Sequence, residues 1–276
     1  MDSSRLSDAK IREKAKQIRL KSIEMVYTAK SGHPGGSLSI ADVLATLYFR
    51  EMKIDPANPV DPDRDMLVMS KGHASPALYA TLSLRGYFPE TLLPGFRKLP
   101  SKLEGHVHYG VPGVEASTGS LGQGLGIAVG MALASKLDGR KNRIYAIIGD
   151  GEIQEGSIWE SFMAGSKYRL DNLTVFLDKN GVQLDGFTDD IMPMPMIPER
   201  VRSFGWNVVE IDGHSIPEIS SSITKARECK DKPTLIYAKT VKGKGVSYME
   251  NNPKYHGNAP ETEELYNQAI KELSTQ

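Results

Sequence analysis

Arg143-Ile144-Tyr145-Ala146-Ile147-Ile148-Gly149-Asp150-Gly151 decides the fold. A short apolar run closed by Gly-Asp-Gly reads as a strand ending in a turn. Leu173-Thr174-Val175-Phe176-Leu177 repeats the arrangement and runs into Asp178-Lys179-Asn180-Gly181, so Asp150 and Asn180 stand thirty positions apart on two strand ends. A carboxylate and an amide oxygen so placed suit a hard divalent cation, with coordination left over for phosphate oxygens. The glycines let backbone N–H groups come close to that phosphate.

Outward from these two strands the chain alternates between helical and strand patterns. Ser7 to Ala29 carries Ile11, Ala15, Ile18 and Met25 or Val26 on one helical side. Lys30 to Ser37, with three glycines and a proline, reads as a loop. Ser39-Ile40-Ala41-Asp42 resembles a capping box and opens a helix to about Glu51. Strands are expected at 66–69, 206–211 and 234–238, and helices after Pro76 and at 121–137, 156–168 and 216–229, with a last one from Glu261. Residues 100–119 form a long loop, and Met192-Pro193-Met194-Pro195-Met196 cannot be regular structure. The expected fold class is α/β, a parallel sheet with helices on both faces, in a single domain over 1–276. Ligands of such sheets bind at the carboxyl ends of the strands, where Asp150, Asn180 and His73 fall.

Composition removes several classes of function. Lys+Arg and Asp+Glu are 34 each, so neither nucleic acid nor an acidic membrane is an expected partner. The apolar share of 39% suits an ordinary globular chain. One cysteine, Cys229, cannot form an intrachain disulfide and suits a reducing compartment. Met1 to Lys30 lacks the apolar core of a signal peptide, and Leu121 to Ala134 is too short to span a membrane. A cytoplasmic location is expected.

Gly-Asp-Gly or Asn-Gly alone is an ordinary turn. Together, with Glu152, Glu155 and Glu160 nearby, they read as a metal–diphosphate site in which Asp150 and Asn180 give side-chain oxygens and the Val182 carbonyl can give a third. Mg²⁺ or Ca²⁺ would neutralise the phosphates without a cluster of Arg or Lys. Of six histidines, His33, His73, His106 and His256 each adjoin a glycine in a loop, as imidazoles gathered on a polar ligand would. His214 reads as structural. No His or Cys pair has zinc spacing. Gly119 to Leu121, at a helix N-terminus, offer backbone contacts to a cofactor ring. Lys242-Gly243-Lys244-Gly245 reads equally well as a solvated loop.

The Gly-Asp-Gly to Asn pattern resembles the signature of thiamine-diphosphate enzymes. Ser31-Gly32-His33-Pro34-Gly35-Gly36-Ser37-Leu38, Ser70-Lys71-Gly72-His73-Ala74-Ser75, Thr118-Gly119-Ser120-Leu121-Gly122-Gln123-Gly124, Gly149-Asp150-Gly151-Glu152, Asp178-Lys179-Asn180 and Lys239 to Gly245 followed by His256-Gly257 look, in that order, like the motifs of transketolase. The likeness runs from about residue 10 to residue 260 and covers only the amino-terminal, diphosphate-binding (PP-type) part of the usual enzyme. The chain therefore resembles the amino-terminal subunit of a split transketolase.

The resemblance implies a thiamine-diphosphate-binding fold and cofactors thiamine diphosphate and Mg²⁺ (or Ca²⁺). It implies metal ligands Asp150, Asn180 and the Val182 carbonyl. His73, Gly151 and Asn180 would meet the diphosphate, and Gly119, Ser120 and Leu121 the aminopyrimidine, with His256 also at the cofactor. His33, His106 and His256 would act on substrate oxygens. The wording Gly105-His106-Val107-His108-Tyr109 departs from the family's and leaves His106 against His108 open. Glu155 and Glu160 match acidic positions linking two active sites. The implied reaction moves a two-carbon ketol unit from a ketose phosphate to an aldose phosphate, as in the pentose phosphate pathway. It would need a partner subunit carrying the pyrimidine-binding domain, in an α2β2 heterotetramer. Other readings are a non-catalytic, regulatory half-enzyme, a 2-oxoacid dehydrogenase α subunit or a deoxyxylulose-phosphate synthase; the Gly-His-Pro-Gly-Gly and Ser-Lys-Gly-His segments favour transketolase over the last two.

Overall fold

Strand β2 (Ile144–Gly149) is buried along its whole length. Tyr145 and Ile147 pack into one apolar cluster, while Ile144, Ala146 and Ile148 pack into another. This period of two, with both sides apolar, places β2 inside a sheet covered on both faces. The computed structural model describes residues 6–275; Met1 to Arg5 and Gln276, within which the first residues of the signal-peptide reading fall, lie outside the described residues.

The chain opens with α1 (Asp8–Ala29), α2 (Pro34–Ser39) and α3 (Ala41–Thr46), the last continuing as a π-helical turn over Leu47–Glu51. Then come β1 (Met66–Met69), α4 (Ser75–Arg85), α5 (Gln123–Leu137), β2, α6 (Gly156–Lys167) and β3 (Leu173–Lys179). A small hairpin, β4 (Val182–Gln183) with β5 (Gly186–Phe187), leads into α7 (Thr188–Ile191) and α8 (Ile197–Ser203). The chain ends with β6 (Asn207–Asp212), α9 (Ile216–Glu228), β7 (Thr234–Lys239) and α10 (Glu263–Ser274). Five strands form one parallel sheet in the order β1-β2-β3-β7-β6.

α1, α3, α4 and α9 bury residues in the cluster on one face, and α5, α6 and α8 in the cluster on the other. A third cluster docks α10 on α1 through Ile23, Leu38, Val246, Met249, Tyr255, Ala269 and Leu273. It fixes the segment that ends at His256. No helix among the described residues is long and apolar enough to cross a membrane.

Two expectations need correction. Pro34 to Ser37 is helical: Pro34 starts α2 at a first-turn position, and all six residues of that helix are buried. Ser39 does not cap α3; Ile40 precedes that helix without a side-chain cap bond, and the Ser39 hydroxyl donates instead to Asp178 Oδ2 at 2.8 Å. The β4–β5 hairpin and α8 carry too little periodicity to be seen in sequence. Residues 100–119 have no helix or strand, but buried Leu103, Val107, Val111 and Val114 pin the loop to the core.

Candidate active site

Every strand of the sheet points its carboxyl end at one rim. There β2 delivers Asp150 and β3 delivers Asn180 to one cavity of about 300 Å³. The cavity is also lined by His33, which precedes α2, by Lys71 and His73 after β1, and by Gly119 and Leu121 before α5. His106 comes from the long loop, Val182 from β4, and Lys242 and His256 from the segment after β7. The structure thus gathers His33, His73, His106, Gly119, Leu121, Asp150, Gly151, Asn180, Val182 and His256. Ser120 is exposed and does not line the cavity. His106 faces in, whereas His108 sits outside, 3.6 Å from Glu104. Glu155 lies at the rim and Glu160 is exposed on α6.

Asp150 is held by backbone donors. Its Oδ1 accepts from Gly151 N–H at 3.0 Å and its Oδ2 from Gly181 N–H at 2.6 Å. Burial pushes its carboxyl up, and Lys179, 3.5 Å away, pulls it back. Asn180 donates through Nδ2 to Asp178 Oδ2 at 2.7 Å, which leaves Oδ1 as the acceptor beside the Val182 N–H at 3.1 Å. Gly181 has φ of 78°, a left-handed backbone that favours glycine.

Beneath these ligand-like oxygens lies a layer of charge the sequence reading did not assign. Asp178 follows Phe176 on the alternate register of β3, so it points toward the α2 face. There it accepts from Lys71 Nζ at 2.6 Å, from Ser39 and from the Thr240 hydroxyl. Burial alone would raise its carboxyl; the Lys71 charge and these hydrogen bonds hold it below the usual range. Glu152 is raised by burial and ties three loops together, accepting from Ser70 Oγ, Gly122 N–H at 2.9 Å and Gly149 N–H at 3.1 Å.

Lys242 is buried, contrary to a solvated loop. Its Nζ donates to the Val182 carbonyl at 3.1 Å and meets His256 Nδ1 at 2.9 Å; burial, then Lys71, lowers its ammonium to about 8. Lys71 and Lys242 therefore supply the buried cations that the sequence reading judged unnecessary. Their only sequence signal is a lysine inside a glycine-bounded motif.

Four imidazoles crowd together, with ring centres 5.2 Å apart for His33–His73, 5.8 Å for His33–His106, 5.7 Å for His33–His256 and 5.1 Å for His73–His256. Burial and neighbouring cations keep them neutral: His33 falls to about 4 through burial and Arg97, and His256 to about 3 through burial and Lys242. Burial also drives His73 well down. His33 Nδ1 is buried without a hydrogen-bond partner. His214 is structural: its Nε2 accepts from Val241 N–H at 3.0 Å, so Nδ1 carries the proton and donates to Asp42 at 2.8 Å.

The donor set fits a metal-bound diphosphate. It offers all-oxygen ligands at Asp150, Asn180 and Val182, two buried ammonium groups, and close backbone approach at Gly151. No cluster of three or more His, Cys, Asp or Glu side chains able to hold a metal occurs among the described residues. The orphaned His33 nitrogen needs a ligand atom.

Fold and cavity define a thiamine-diphosphate-binding α/β domain. Residues 11–273 match the thiamine diphosphate binding domain of transketolase, and the chain belongs to that family. It is 47% identical over 264 residues to the 6-deoxy-6-sulfo-D-fructose transketolase subunit SqwG of Clostridium sp. (strain MSTE9), covering 95% of this chain and 96% of that one. It is 43% identical to an apulose-4-phosphate transketolase subunit of Phocaeicola vulgatus, covering 93% and 91%. Against human transketolase it is 38% identical and covers 96% of this chain but 42% of the relative. The Campylobacter jejuni transketolase structure superposes with a TM-score of 0.92 at 36% identity, over 98% of this chain and 43% of that one. The chain thus spans nearly the whole of these subunit relatives and under half of the long transketolases.

Proposed function

We propose that this chain is the amino-terminal subunit of a transketolase that moves a two-carbon ketol unit between sugars, and that it works only with a carboxyl-terminal partner subunit. The observation that carries the reading is a single rim that joins Asp150, Asn180 and Val182 to four neutral imidazoles. Bound thiamine diphosphate supplies a nucleophilic carbon and an electron sink. Asp150, Asn180 and the Val182 carbonyl would hold Mg²⁺, or Ca²⁺, against the diphosphate. Lys71 and Lys242 add positive charge from below. His73 and Gly151 would meet phosphate oxygens, and Gly119 to Leu121 the aminopyrimidine.

His33, His106 and His256 then donate to, and accept from, oxygens of the sugar. Neutral imidazoles can do both, so they stabilise negative charge on a substrate oxygen and move its proton. The partner seated over this rim would exclude water and strengthen each of these contacts. The group that activates the cofactor's amino end, and most contacts to the anionic end of the sugar, are left to the partner, in an α2β2 assembly. A reducing, cytoplasmic setting suits the lone Cys229.

The test is reconstitution. The isolated chain is expected to show no ketol transfer, and the chain mixed with its partner, thiamine diphosphate and Mg²⁺ to show it, on a panel of phosphorylated and sulfonated ketoses. Full activity without a partner overturns the split-enzyme reading. Asp150→Ala is expected to weaken calorimetric thiamine diphosphate affinity in Mg²⁺ by about 100-fold or more, roughly 2.7 kcal/mol. Unchanged affinity overturns the ligand assignment.

A further inference from the structure

Arg97 belongs to none of the motifs above, yet it touches two of them. Its Nη1 donates to Ser31 Oγ at 2.6 Å, two residues before His33. The same guanidinium lies against Gly105, one residue before His106; a Cβ at Gly105 would collide with Nε and stand 2.6 Å from Cζ. The Arg97 N–H donates to the Leu103 carbonyl at 2.8 Å, and the backbone there is left-handed, with φ of 57°. Among the described residues no carboxylate pairs with Arg97. Its Cζ lies 5.8 Å from the centre of the Phe96 ring, and it lines one surface cavity together with Ser31, Gly105 and His106.

We propose that Arg97 is a positioning residue: it braces the His33 and His106 loops against each other and holds an uncompensated positive charge beside both rings. The proposal rests on the reading that these two histidines act on substrate oxygens. The groups facing His33 are Arg97, His106, Lys242 and the rings of His73 and His256. Those around His106 are Arg97 and His33, with Glu104 and Lys98 lining the same surface cavity, while the Tyr79 hydroxyl donates to the His106 carbonyl at 2.9 Å. Burial lowers both imidazoles, and Arg97 is the next cause for each. Among the described residues only Arg97 combines charge on both rings with a contact to both loops. Spacing between two groups that must meet one substrate is what such a brace controls.

The test follows histidine titration by NMR in the full chain, which needs no activity, for wild type, Arg97→Gln, Arg97→Lys and Ser31→Ala. In Arg97→Gln the proton affinities of His33 and His106 are expected to rise about threefold or more, with His214 unmoved. The acid limb of kcat/KM in the reconstituted pair moves to higher pH with them. Arg97→Lys keeps the charge, so its titrations stay within about twofold of wild type while kcat falls, because an ammonium cannot span both loops. Should Arg97→Gln fail to fold, Ser31→Ala carries the test by freeing the guanidinium from the His33 loop, and a rise in the same direction for His33 is expected, smaller because the charge remains. Unmoved titrations in a folded Arg97→Gln, or failing that in Ser31→Ala, overturn the proposal even when the wild-type pair is active. Moved titrations with no ketol transfer by the wild-type pair would overturn the functional reading instead.

Discussion

Lys71 and Asp178 form a deeply buried ion pair, with side chains 2% and 1% exposed. Desolvation of two charges is costly, and the pair survives because Gly36, Ser39, Asn180 and Thr240 complete its hydrogen bonds. Removing one partner leaves the other charge stranded. Lys71→Met is therefore expected to destabilise the chain by about 3–5 kcal/mol in urea unfolding, and Lys71→Met with Asp178→Asn by less. A double variant no more stable than the single would refute the pairing. The histidines give a pH signature. The folded pKa of His33 lies below its unfolded one, so neutral His33 adds stability that is complete above pH about 6.5 and is lost as pH falls through about 4. The stability difference between wild type and His33→Gln should shrink over that window in urea midpoints taken at several pH values. A constant difference contradicts it. At this scale the sequence showed the ligands but not their supports. Asp150 and Asn180 announce themselves by neighbouring glycines. Asp178, Glu152, Lys71 and Lys242 act through partners that are 82 to 139 positions away in several cases, a distance no local pattern encodes.

At the scale of elements, strand ends are locked together by glycines with no room for a side chain. A Cβ on Gly72 would run into the Thr118 carbonyl, so the turn after β1 lies directly against the approach of α5. Gly72→Ala must push that backbone away from the cavity. A loss of about 1–3 kcal/mol in stability is expected, together with weaker cofactor binding by calorimetry. Wild-type affinity in the variant would show that the two loops move independently. Long elements were legible because period and propensity agree in them: α1, α9 and the buried strands fall within a few residues of their sequence patterns. α2 was hidden because Pro34-Gly35-Gly36 has little helical propensity. Packing forms it: a Cβ on Gly35 would stand 2.8 Å from the Tyr255 carbonyl. The β4–β5 hairpin pairs only two residues on each strand, too few to leave a period.

On the scale of the whole molecule, Leu184 at the cavity's edge begins a stretch of chain rich in exposed apolar side chains. Leu184 and Met196 are each 66% exposed, and Phe187, Ile191 and Met192 lie near them in the chain. Such a patch beside a site is characteristic of a contact surface. With the proposed partner bound, hydrogen exchange of residues 182–196 is expected to slow, and Phe187→Asp to weaken assembly by about tenfold or more, roughly 1.4 kcal/mol, in sedimentation or light scattering. Unchanged exchange would place the partner elsewhere. The family and its cofactor were readable from ordered motifs, because each glycine–histidine loop keeps its local sequence; the patch was not, because its members lie among irregular residues. The parallel sheet has one further consequence. Every loop of the site leaves the same rim, so the pocket is assembled from positions as far apart as His33 and His256, 223 residues by subtraction (256 − 33). A nick or a stop codon between them puts pocket residues on different pieces, so no fragment that begins after His33 or ends before His256 holds the whole set.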